Sequence, residues 1–171
     1  RAPARAPSQT VAVLANPDFN TPGSQAATQE SPSKSSLVRS MRELPRLKGT
    51  EKEAQHLGCL MPKARVWKQA EATEATLRGL AAPGILHLAT HALFLPEHIG
   101  ATPLSGALLI LAGASHFGQS TDTTTDGVAT ALELSNLNLR GTQLVVLSAC
   151  NSGSGEWRVG QDVFGLRRPF M

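Results

Sequence analysis

The sequence predicts an α/β fold built on a mostly parallel sheet, and three observations carry that prediction. Short apolar runs recur at residues 10–15 (TVAVLA), 85–90 (ILHLAT), 108–111 (LLIL) and 143–149 (QLVVLSA). They are apolar on both faces rather than alternating, as strands buried between two layers are. Segments with helical spacing stand between them.

Taken in order, residues 1–9 are Pro, Ala and Arg without a period and read as a linker, while 10–15 reads as a strand that turns at Asn16-Pro17. Residues 20–36, rich in Ser, Thr, Gln and Pro, read as loop. Residues 37–44 and 49–60 have helical spacing, the second with Thr50 as N-cap and Glu53 as its capping-box partner. Residues 64–67 fit a short strand, and 72–80 (ATEATLRGL) an amphipathic helix stopped by Pro83-Gly84. Beyond the strands at 85–90 and 108–111 come a polar loop at 119–127 and a short helix at 128–134. The strand at 143–149 is the strongest strand signal in the chain, and a further helix is expected at 160–168. No internal repeat is present.

Length and composition bound the rest. With 171 residues the chain fits one domain, able to bury roughly 70% of its unfolded surface. Its 41% hydrophobic content supplies a core, but aromatics are only 4% and Tyr is absent, which disfavours a stacking platform for nucleic acid. The net charge of +3 comes from scattered basic residues and names no acidic partner. The longest apolar run, at 107–112, falls far short of the roughly 20 residues that cross a bilayer, and no apolar leader opens the chain. A cytoplasmic protein without a membrane partner is expected. The chain starts at Arg1 and stops at Met171 inside a helical pattern, which reads as a piece of something longer.

In such sheets reactive groups collect at the carboxyl ends of the strands. The run 85–90 leads into His91, and the run 143–149 into Cys150, followed by Asn151-Ser152-Gly153. If both strands are parallel, the two side chains emerge at one edge, where an imidazole can take the thiol proton and return it to a leaving amine. The alternative is a Cys150 that is a small core residue and a His91 satisfied within a loop. Zinc is a poor fit for His87, His91 and His98. The helical zinc motif needs Glu after the first His, where Leu88 stands, and four strand residues span about 13 Å. His87 is expected to pack beneath the site and His98 to be exposed. Cys59, in a helical period with Leu57 and Leu60, reads as a core residue, and a disulfide scaffold is not expected.

These residues resemble the CHAT domain, a caspase-like module of the cysteine peptidases usually found beside tetratricopeptide repeats. The resemblance rests on residues 12–19 (AVLANPDF), 47–54 (LKGTEKEA), 72–77, 85–94 (ILHLATHALF), 131–153 (ALELSNLNLRGTQLVVLSACNSG) and 165–168 (GLRR). It implies a three-layer α/β/α sandwich over residues 10–171, ending short of the family's C-terminal strands. It also implies a cysteine endopeptidase in which His91 is general base and acid and Cys150 forms a thioester with the peptide carbonyl. Backbone N–H groups of Cys150 and Ala92 would hold the oxyanion. Ala92 stands where the family has Gly, and its methyl is costly if that position needs positive φ. Gly160-Gln161-Asp162 replaces Gly-Glu-Gly. Asp18, Glu156 and Asp162 are the candidates for binding a basic substrate residue, although Asn16-Pro17-Asp18 also reads as an ordinary turn. No cofactor is implied, and Asp122 and Asp126 do not make a calcium pattern. The expected partner is a protein or peptide substrate, with a tetratricopeptide-repeat region in the parent chain. The alternative is a non-catalytic or truncated module of the same family acting in protein interaction or regulation.

Overall fold

The computed structural model of the chain describes residues 9–20, 39, 41–94, 106–117 and 126–151, with Phe94, Cys150 and Asn151 described by their backbone. The apolar runs become strands: β1 (Val11–Pro17), β2 (Arg65–Gln69), β3 (Ile85–Phe94), β4 (Ala107–Ile110), β5 (Val128–Thr130) and β6 (Leu144–Asn151). β1 lies parallel to β2 on one side and to β3 on the other. β6 runs parallel to β3 from Ile85↔Leu144 to Ala92↔Asn151. β4 pairs antiparallel with the last residues of β3, and β5 antiparallel with β4. Ala92 is in register with Asn151 of β6 and with Leu109 of β4, so those strands flank β3 on opposite sides. β4 therefore takes the place of β1 where β1 turns away at Pro17.

The sheet is thus mixed: the pairings β1–β2, β1–β3 and β3–β6 are parallel, and those of β4 with β3 and β5 are antiparallel, a reversal the apolar runs did not announce. An apolar run records burial on both faces and carries no information about strand direction. The predicted helix at 128–134 also divides: Val128–Thr130 is β5, and only Ala131–Ser135 is helical.

Strand alternation sorts the core into two faces. Leu86, Leu88 and Ala92 of β3 join Ala12 and Leu14 of β1 beneath α2 (Glu74–Arg78) and α3 (Ala131–Ser135), which contribute Leu77, Ala131 and Leu134. On the opposite face Ala89 packs with Val13 and Ala15 under Ala54 and Leu57 of α1 (Lys48–Leu60). Toward the carboxyl end, that face continues as Leu93, Leu108 and Ile110 beneath Phe19 and Met41. Each fully buried leucine of this kind contributes about 1.5–3 kcal/mol, so the faces on either side of β3 hold it rigidly.

Local chemistry sets the helix starts. α2 is capped by Thr73, whose hydroxyl accepts from Thr76 N–H at 3.1 Å. α3 has a reciprocal capping box between Thr130 and Glu133. The box expected at Thr50 and Glu53 does not form: Leu47 is the N-cap of α1, Thr50 lies inside the helix, and its hydroxyl donates back to Leu47 O at 2.8 Å. Glu53 is drawn instead toward the sheet. Gly127 turns the chain into β5 with φ +81°, and a Cβ there would collide with the backbone of Ala114, so only glycine fits.

Candidate active site

His91 sits inside β3, four residues beyond His87 on the same face, and β3 continues past it to Phe94. Its ring is 1% exposed. Phe19, delivered by the turn after β1, packs against it with ring centroids 5.2 Å apart and the planes tilted by 39°. Nε2 lies 2.8 Å from the carbonyl oxygen of Pro45 in the segment leading into α1. A carbonyl only accepts, so Nε2 carries the proton, and in the neutral ring the basic lone pair is left on Nδ1. Burial lowers the pKa of His91, and the Pro45 carbonyl partly opposes the shift. Burial thus holds the ring neutral near pH 7, while the Pro45 carbonyl fixes its tautomer.

Cys150 is the register partner of His91 on the adjacent parallel strand. Registered positions on neighbouring strands fall on the same face of a sheet. The two residues named from the strand ends are therefore next to one another in the fold, although both lie within strands rather than in loops. Ala92, the next position, has no positive φ, so its methyl meets none of the strain that a left-handed position would impose.

Two and four residues before Cys150 and His91, a second polar group lies under α1. Ser148 Oγ donates to Glu53 Oε2 at 3.0 Å. Glu53 Oε1 lies 2.9 Å from Nε2 of His87, an ion pair when the imidazole is protonated, but off the line of a hydrogen bond. His87 is buried, as its expected place beneath the site requires. Sequence reasoning placed Glu53 in a helix cap and missed this bridge; the one available signal was a lone serine in an otherwise apolar strand.

The other candidates separate. Asp18 stands at the same sheet edge, next to Phe19, with its carboxylate accepting Asn20 N–H at 3.2 Å, the geometry of a turn. Glu156, Asp162 and His98 lie outside the described residues. Cys59 is exposed in the last turn of α1, which corrects its reading as a core residue. The period at Leu57 and Leu60 misled because Leu60, too, is 76% exposed. Asp126 is buried, with its carboxylate accepting Val128 N–H at 3.0 Å. Among the described residues no group of three His, Cys, Asp or Glu side chains could hold a metal ion, and no helix is long and apolar enough to cross a membrane.

No curated protein and no solved structure matches the chain. The family model of the CHAT domain matches residues 1–171, the whole sequence. The chain, with its buried histidine in register with a cysteine on the next strand, belongs to the CHAT domain family, whose fold is caspase-like and whose affinities are with the cysteine peptidases.

Proposed function

We propose that this domain is a cysteine endopeptidase with a Cys150/His91 dyad, and the register His91↔Cys150 is the observation that carries the reading. The neutral His91 accepts the Cys150 proton at Nδ1, and the thiolate attacks the peptide carbonyl carbon. The tetrahedral oxyanion is held by backbone N–H groups of Cys150 and Ala92. Its collapse breaks the C–N bond, the imidazolium returns the proton to the leaving amine, and a thioester remains on Cys150. Water, deprotonated by His91, then attacks the thioester and releases the acid and the thiol. The Pro45 carbonyl supports both half-reactions by holding the ring orientation and favouring the imidazolium. In this reading the chain adopts the three-layer caspase-like sandwich of its family. Asp18, Glu156 and Asp162 are candidates for contact with a basic substrate residue, and a tetratricopeptide-repeat region of a parent chain is the partner.

A second reading is favoured by one observation, the near-complete burial of His91: a CHAT module that binds partner proteins without cleaving them. Cleavage of a diverse peptide library separates the two. The peptidase reading predicts turnover that falls by at least about 100-fold in Cys150→Ser and in His91→Ala. Turnover unchanged in both variants, or binding of peptides without turnover, contradicts it.

A further inference from the structure

β6 poses a register problem. Leu144, Val145, Val146 and Leu147 form an unbroken apolar run, so a shift of two residues against β3 would leave apolar groups on both faces much as before. Such a shift would carry Cys150 about 6–7 Å from its place opposite His91. The start of the strand is pinned by Gln143 N–H and Leu144 N–H, both donating to Gly84 O, at 2.8 and 3.3 Å. Those bonds lie at the end of β6 remote from Cys150.

We propose that Glu53 is a positioning residue whose carboxylate, through Ser148 and His87, fixes the carboxyl-terminal half of β6 against β3 and thereby sets Cys150 opposite His91. Ser148 is the one polar side chain between Leu144 and Ala149, and it stands in register with Ala89, diagonal to His87. The small Ala89 leaves room between the strands and α1, and Glu53 reaches into it with one oxygen for each strand. In a strand shifted by two residues, either Val146 or Cys150 would stand opposite Ala89. A valine there would set hydrocarbon against the carboxylate and leave the Ser148 hydroxyl without it. The bridge thus discriminates between registers that the apolar pattern treats alike, as single buried polar groups do in other assemblies. The role rests on the dyad reading for its consequence in catalysis, but the positioning itself does not.

The test uses the full chain with Ser148→Ala, Ser148→Thr and Glu53→Leu. Two quantities are read: amide hydrogen exchange of residues 145–150, and the ratio of Cys150 alkylation rates with and without His91→Ala. Expected in Ser148→Ala and Glu53→Leu is at least about tenfold faster exchange in this half of β6, with β1 amides unchanged, and an alkylation ratio that collapses toward one. Ser148→Thr restores both, because it keeps the hydroxyl. Unchanged exchange in Ser148→Ala and Glu53→Leu overturns the proposal, as does failure of Ser148→Thr to rescue. Should the parent protein show no His91 dependence, the dyad reading fails, and the exchange measurement alone decides the role of Glu53.

Discussion

At His91 three features do separate work: Phe19 packs against the ring, burial keeps it neutral, and Pro45 O selects the tautomer. A second set of buried ionisable groups lies on the opposite face of the sheet. Glu74 has a pKa pushed up to about 8, first by burial and then by the nearby charge of Asp126, against the pull of Arg78 and the Gly127 N–H. Asp126 is raised to about 6, chiefly by burial and further by Glu133. Arg78 bridges Glu74 at 3.0 Å and Glu133 at 3.1 Å. A carboxyl that is harder to ionise folded than unfolded stabilises the fold below its unfolded pKa, and that stability drains away as pH rises toward the folded value. The window here runs from the ordinary 4.5 of Glu74 to about 8. Urea unfolding of the wild type is therefore expected to lose on the order of a few kcal/mol across it. Glu74→Gln, which keeps an acceptor for Gly127 N–H and cannot ionise, is expected to flatten the profile and to be the more stable protein at pH 9. Parallel profiles for the two proteins would contradict this. At this scale the sequence reveals His91 and Cys150, because each follows a recognisable strand. It conceals Pro45, Glu53 and the Glu74–Asp126 pair, whose roles come from partners distant in sequence.

At the scale of elements, the long apolar runs of β1 and β3 are legible because burial on both faces leaves a continuous signature, and these strands and the half-buried β6 fall close to where the periodicity sets them. The boundary at Thr130 is not legible. Val128–Thr130 is too short to show a period, and its pairing with β4 is decided by tertiary contact. The capping signal was nonetheless present as Thr130-x-x-Glu133, one box further along the chain than the one proposed at Thr50. Glu133 Oε2 accepts from Thr130 N–H at 2.8 Å, and Thr130 Oγ1 accepts from Glu133 N–H at 3.2 Å. Thr130→Ala removes the second bond, together with the one its hydroxyl donates to Glu133 Oε2 at 2.8 Å, and is expected to cost about 1 kcal/mol. It should appear as a lower urea midpoint with an unchanged slope. A midpoint equal to that of the wild type would show that β5 packing alone fixes the start of α3.

For the whole molecule, the α/β class follows from the alternation of runs and helical segments, whereas strand direction does not, and the antiparallel pairings of β4 with β3 and β5 make the sheet mixed. The parallel pairing of β3 with β6 is the feature on which the proposed function turns, since it converts two separate sequence motifs into neighbours. The most direct test of that claim is the alkylation rate of Cys150 between pH 5 and 9, followed by peptide mass spectrometry, with exposed Cys59 as the rate reference in the same molecule and His91→Ala as the comparison. A thiol paired with histidine ionises at a pKa of roughly 3.5–7.5, against about 8.5 for an isolated one. The account predicts that Cys150 reacts at pH 7 at least about tenfold faster than Cys59 and falls to a similar rate in His91→Ala. Equal rates for the two cysteines, indifferent to His91, would contradict it.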